Sequence, residues 1–227
     1  MQTLNQTNHQ TARFNMIEQQ IRPWDVLDPV VLKLLNDLPR ENFVPADYQG
    51  LTFADLEIPI GADIEHGQTM LSPKLEGRML QSLDVQKHHS ILHVGVGSGY
   101  FTALLASLAH NVLAIEINET LLAIALKNLV NHGFSNVTTQ LGDGANGWAA
   151  KAPYDRIVFT ASSPVEPAGV RQQLAVGGKL LIILGHAPAM QAKLIERVQL
   201  TAFREDILFE TCLPALSNAA KAQAFEF

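Results

Sequence analysis

Cysteine is nearly absent: Cys212 is the only one in 227 residues, so no disulfide can form within the chain, and the count fits a reducing compartment. Its expected role is that of a small buried apolar side chain. Basic charge is also sparse. Lys and Arg total 16 against 22 Asp and Glu, a formal net charge of -6, and no basic stripe is present to neutralise a run of phosphates, which argues against a large nucleic-acid partner. No apolar run approaches the ~20 residues of a membrane span, so no membrane partner is expected. The opening MQTLNQTNHQTARF lacks the basic, apolar, small-residue order of a secretory leader, and the expected location is cytoplasmic. Eight histidines are present, yet no Cys/His pair has finger-like spacing and His88 and His89 fall in a turn, so no metal site is expected.

Hydrophobic residues make up 47% and charged residues 17%, the balance of a globular chain with a substantial core, and the length suits a single domain. Residues 16 to 38 carry apolar side chains at helical intervals, with Asp28 as N-cap and Pro29 at the first helical position. From there to about residue 73, Pro, Gly and Asp punctuate an irregular stretch with short strands, and a helix follows from Lys74 to Leu83. Residues 1–83 thus read as a helical and loop cap.

The pattern changes at Ser90. SILHV, NVLAIEI, NVTTQLGD, YDRIVFTAS and GGKLLIILG read as strands, while GYFTALLASLA, ETLLAIALKNLVNHG (ended by Gly133) and VEPAGVRQQLAV read as helices. This alternation predicts a doubly wound, mostly parallel α/β sheet over 84–213, with KLIERVQLTAFREDILFE as an antiparallel strand or hairpin at its edge and 214–227 as a tail. Ligands of such sheets lie beyond the carboxyl ends of the strands.

The first of those ends reads GVGSGY. A dinucleotide fingerprint would need glycine at Tyr100, and no Gly-Lys-Ser/Thr follows, so neither a nicotinamide nor a triphosphate loop fits; a methyl-donor loop and a tight turn without ligand both remain. A Cβ at Gly95 or Gly97 would occupy space that a cofactor's amino-acid portion needs. Glu116 ends the second strand, 17 residues past Gly99, where a carboxylate can accept from ribose hydroxyls. Asp143, at the end of the third, can help read an adenine edge.

PRENFVP, FADLEIPIG, GQTMLSP, LHVGVGSGY, AIEIN, GDGANGW, APYDRIVFTAS and GGKLLIILG together resemble the protein-L-isoaspartate O-methyltransferase family over roughly residues 16 to 213. The resemblance implies a Rossmann-like methyltransferase fold and S-adenosyl-L-methionine as cofactor. It also implies methyl transfer to the α-carboxylate of L-isoaspartyl residues in damaged proteins or peptides. It puts His93, Gly95, Gly97, Ser98, Gly99, Glu116, Ile117, Asp143, Gly144 and Thr160 at the cofactor, and Thr69 and Ser72 at the acceptor carboxylate. Gln191 resembles the family's Gln after the fifth strand, and Asp55 and Glu57 are candidates for the mouth.

Three features depart from the family pattern. In Thr69-Met70-Leu71-Ser72-Pro73, Leu71 stands where the family has serine, and Ser72 comes one residue later; five residues, Ala62-Asp63-Ile64-Glu65-His66, separate PIG from GQT; and His93 replaces an acid two before the first glycine. All three lie at the methyl or acceptor end. They leave open two other readings: a relative acting on a different acceptor, and a cofactor-binding protein without turnover.

Overall fold

A computed structural model of the protein describes residues 2–61 and 68–221, residues 2–7 by backbone alone. The segment 62–66 and the last six residues of the tail therefore lie outside the described residues. The polar opening stretch forms helix α1 (Gln2–Met16), which runs on through a π-helical turn at Ile17–Ile21 and a 3-10 turn at Arg22–Trp24. Helix α2 (Pro29–Asp37) starts where its cap predicts: Asp28 Oδ1 accepts from the Val30 and Val31 N–H groups at 2.7 and 3.4 Å, and Pro29 has no N–H to leave unpaired. Two 3-10 turns, Arg40–Phe43 and Ala46–Leu51, lead into an antiparallel ribbon of β1 (Ile58–Pro59) and β2 (Thr69–Met70). Helix α3 (Pro73–Leu83) follows.

The remaining elements are β3 (Ser90–Val94), α4 (Tyr100–Leu108), β4 (Asn111–Glu116), α5 (Glu119–Asn131), β5 (Val137–Leu141), β6 (Tyr154–Ser163), β7 (Leu174–His186), β8 (Ala189–Arg197) and β9 (Phe203–Thr211). The seven strands from β3 onward form one sheet in the order β5-β4-β3-β6-β7-β8-β9. β5 through β7 run parallel, and β8 and β9 add an antiparallel meander at one edge. The chain winds outward from β3 to β4 and β5, then crosses back to β6 on the other side, which makes the end of β3 the switch point of the topology.

Side chains alternate across the sheet and feed two cores. Ile91, Val158, Leu181 and Ile183 meet the helices, with Leu35, Met79, Leu80, Leu104 and Ala125 among the buried contacts. Leu92, Ile157, Phe159, Leu180 and Ile182 form the second core on the opposite face. The expected helix VEPAGVRQQLAV over that face does not form. Gly169 interrupts it by turning left-handed at φ +77°, leaving a 3-10 turn at Arg171–Gln173 and an early start to β7 at Leu174. Cover comes instead from Val170 within that connection and from Trp148 and Phe203.

Cys212 is exposed, contrary to expectation, because Leu213 next to it takes the inward position at 2% exposure. No helix of the described residues is long and apolar enough to cross a membrane.

The cap's attachment depends in part on the start of α2, since Asp28 and Leu27 also donate their N–H groups to Gln81 of α3 at 2.9 and 2.8 Å. Asp28→Ala leaves two N–H groups of the first turn without their acceptor, and the expected loss is about 1 kcal/mol in unfolding free energy by urea titration.

Candidate active site

The parallel arrangement brings the ends of β3, β4 and β5 side by side. The loop after β3 rises on Gly95, whose N–H donates to Ile115 O at 3.0 Å, and passes so close to the cap that a Cβ at Gly97 would lie 2.9 Å from Ile60 Cδ1. Gly99 answers to a different neighbour. It opens α4, and a Cβ there would stand 3.2 Å from both Cα and O of Ala125, so its smallness serves the contact between α4 and α5 rather than a ligand.

Glu116, 6% exposed, locks the glycine loop to the next strand end. Its Oε2 accepts from Gly97 N at 3.1 Å, and its Oε1 accepts from Ile117 N and Asn118 N, both at 3.0 Å. Ile117 is exposed beside it. Asp143 caps its own loop through Ala145 N (2.9 Å), and its second oxygen accepts from the side-chain amide of Asn218 at 3.0 Å. Gly144 has no room for a Cβ, which would meet Val94 Cγ1 at 2.8 Å.

The C-terminal tail reaches the site through Ser162. Ser162 N donates to Pro214 O at 2.8 Å, Leu216 N donates to Ser162 O at 2.9 Å, and Ser162 Oγ donates to Leu213 O at 2.8 Å. Leu216 is thereby brought near Gly95 and Asn218 onto Asp143.

A cavity of about 40 Å³ opens over the glycine loop, walled by Thr69, Leu71, Glu76, Gly97, Ser98 and Thr160, among others. Thr69 Oγ1 donates to Glu57 at 2.9 Å; burial raises the Glu57 carboxyl above its ordinary range, and the threonine bond works the other way. Ser72 does not join this wall. It is the N-cap residue of α3, and its carbonyl accepts from Leu75 N and Glu76 N at 3.1 Å each. Leu71 takes the wall position together with Thr69 and Met70. Gln191 sits in β8 paired with Leu184 and Glu210, outside the wall, and Asp55 is engaged by Lys74 Nζ at 2.6 Å.

His93 lies behind the loop rather than in the cavity. It is fully buried, with Nδ1 2.9 Å from Thr102 Oγ1 and Nε2 3.1 Å from Thr160 Oγ1. Thr160 spends its proton on Gly95 O and Val94 O, so it accepts from His93 Nε2–H, and Nδ1 accepts from Thr102. Burial holds the imidazole near a pKa of about 3, neutral at any physiological pH. The polar group at this position is therefore a clamp between α4 and β6.

Sequence reasoning passed over Arg40, Glu76 and Asn218. Glu76 carried a signal: it stands at helical spacing with Met79, Leu80 and Leu83 on the apolar stripe of α3, and an acid there needs a partner. Among the described residues no group of three or more His, Cys, Asp or Glu could hold a metal ion.

A family model described as protein-L-isoaspartate(D-aspartate) O-methyltransferase matches residues 11–212. The chain belongs to the protein-L-isoaspartate O-methyltransferase family. Among its curated relatives, protein-L-isoaspartate O-methyltransferase 1 of Rhodopseudomonas palustris is 38% identical over 179 residues, 79% of this chain and 71% of that protein. Protein-L-isoaspartate O-methyltransferase 2 of Marinobacter nauticus is 39% identical over 176 residues, 78% of each. A solved protein-L-isoaspartate O-methyltransferase shares the fold with a TM-score of 0.76 at 23% identity, covering 90% of this chain and 66% of that one. A Plasmodium falciparum structure, described as a β-aspartate methyltransferase in complex with S-adenosyl-L-homocysteine, does so with a TM-score of 0.74 at 18% identity over 92% and 98%.

The buried imidazole also sets an acid limit on stability. An unfolded His93 protonates near its ordinary 6.5, whereas the folded form resists until about 3, so below pH 6.5 the unfolded state binds the extra proton and stability falls with pH. The expected contribution is about 1.4 kcal/mol per pH unit in that window. Urea titrations of the protein and of His93→Asn from about pH 6.5 to about pH 4 check it, the variant losing stability less steeply with falling pH.

Proposed function

We propose that the protein is an S-adenosyl-L-methionine-dependent O-methyltransferase that transfers a methyl group to the α-carboxylate of L-isoaspartyl residues in damaged proteins, acting in the cytoplasm. The observation that carries this reading is the convergence of the glycine loop, Glu116 and Asp143 at the adjacent ends of β3, β4 and β5.

The residues fit such a cofactor. Glu116 uses three of about four acceptor positions on its carboxylate for backbone N–H groups, which leaves capacity for a ribose hydroxyl. Asp143 already accepts from an NH2 group, that of Asn218, which is the donor chemistry of an adenine amine. Gly95 and Gly97 line the cavity with bare backbone, although Ile60 Cδ1 already fills the place of a Cβ at Gly97. Gly95, Ser98, Gly144, Ile117 and Thr160 complete the proposed contact surface; His93 and Gly99 act on it from behind.

Bound, the cofactor supplies a methyl group already activated on a sulfonium. The protein then has little acid–base work, because an acceptor carboxylate is already a nucleophile, and positioning supplies most of the rate. Met70, Leu71 and Phe101 give the cavity an apolar side that keeps water from competing with the carboxylate. Thr69 is the hydroxyl on the wall, and turning its proton from Glu57 to the acceptor would hold that carboxylate in line. Leu71 on the same wall favours a second reading, a family member whose acceptor differs from isoaspartate.

Incorporation of radiolabelled methyl into an isoaspartyl peptide, with the aspartyl isomer as control, tests the proposal. The expected outcome is labelling of the isoaspartyl peptide alone, with kcat/KM reduced about tenfold by Thr69→Val, the loss of one hydrogen bond to a charged group, and little changed by Ser72→Ala. Labelling of neither peptide, with transfer to another acceptor, would move the assignment to the second reading.

A further inference from the structure

The cavity over the glycine loop has one ionisable side chain in its wall, Glu76. The acid is 1% exposed and sits in the first turn of α3, whose sequence otherwise turns Leu75, Met79, Leu80 and Leu83 inward. Arg40, also 1% exposed, donates to Glu76 Oε2, to Leu71 O at 2.8 Å and to Thr52 O at 3.0 Å, and its guanidinium lies 5.1 Å from the centre of the Tyr100 ring. It is absent from the cavity wall, so it meets the carboxylate from the far side. The other acids near the loop, Glu57, Glu116 and Asp143, lie outside the cavity wall and already accept hydrogen bonds. His93 is neutral, Glu116 serves three backbone donors, and Asp143 is held by Ala145 N and Asn218.

Building on the cofactor reading above, we infer that Glu76 is the acid that holds the cationic α-ammonium end of the methyl donor over Gly95 and Gly97. A buried carboxylate facing a small cavity attracts a cation strongly, since little water screens the pair. Burial also raises the Glu76 carboxyl to about 7 against the pull of Arg40, so one cation leaves the acid under-compensated and a second would stabilise its charged form. Tyr100, which packs against the same pair, is neutral: burial, reinforced by Glu76, raises its phenol well above the ordinary value. In this arrangement the negative charge reaches the glycine loop from α3, above it, while β3 beneath contributes only the neutral clamp.

Calorimetry with two ligands isolates the effect. S-adenosyl-L-homocysteine carries the α-ammonium, and 5′-methylthioadenosine has the same adenosine without the amino-acid portion. Glu76→Gln is expected to weaken S-adenosyl-L-homocysteine by roughly tenfold, the loss of one charge-assisted hydrogen bond, and to leave 5′-methylthioadenosine unchanged, while Glu76→Asp restores part of the difference. Because the single change strands Arg40, the double variant Arg40→Met/Glu76→Met, which replaces the pair with apolar side chains, gives the same comparison in a core without an unpaired charge. Equal weakening of both ligands, no change in either, or loss of fold in both variants would assign Glu76 to structure alone and overturn the inference. If the unmodified protein binds neither ligand, the cofactor reading itself fails; if it binds both and their ratio survives substitution, only the role of Glu76 does.

Discussion

Everything at the site depends on the carboxylate of Glu116. Strands β3 and β4 end side by side, and one side chain accepts N–H groups from the glycine loop of the first and from the two residues that leave the second. Without that acceptor the backbone donors of two adjacent loops would lose the one side chain they share. The bond from Gly97 also fixes how high the loop rises. The cap, through Ile60, then packs directly onto it, with no space between for a side chain at 97.

A second layer of buried polar contacts joins the cap to this floor. Arg40 reaches from a 3-10 turn to carbonyls at Leu71 and Thr52 and to Glu76, so the chain at Thr52 and the start of α3 share one guanidinium. Arg156 does similar work at the opposite end of the sheet, donating to the carbonyls of Leu83 and Asp84 where α3 ends. Removing one partner of the Arg40–Glu76 pair would strand a buried charge, which explains why such a pair persists even though an apolar pair could be as stable. The site is thus roofed by elements whose position is set by hydrogen bonds rather than by close-packed side chains alone.

Much of the fold was legible because it follows local rules. Asp28-Pro29 marks a helix start, SILHV and NVLAIEI are apolar runs of strand length, and the glycine spacing argues against a dinucleotide loop. The misreadings came where tertiary context decided. VEPAGVRQQLAV has helical spacing, but left-handed Gly169 leaves only a turn, and Val170 packs against the sheet in place of a helix. The polar residues of α1 show no apolar stripe strong enough to predict a helix, yet the helix forms and Arg13 near its end pairs with Glu41. Ser72 was an attractive replacement hydroxyl in the linear sequence, but it falls at the N-cap position of α3, outside the cavity wall.

The sequence by itself determined the order of strand ends, and with it the positions of Gly95, Gly97, Glu116 and Asp143, because parallel strands deliver their carboxyl ends to one edge whatever lies above them. Only the tertiary structure decided which side chains face the cavity. Glu76, Leu71 and Asn218 reach the glycine loop or its neighbours from α3, from the strand-like segment before it and from the tail, and nothing in local spacing reports contacts between segments so distant in the chain. His93 illustrates both limits: its place two residues before the first glycine was plain in the sequence, while its neutrality came from burial between Thr102 and Thr160.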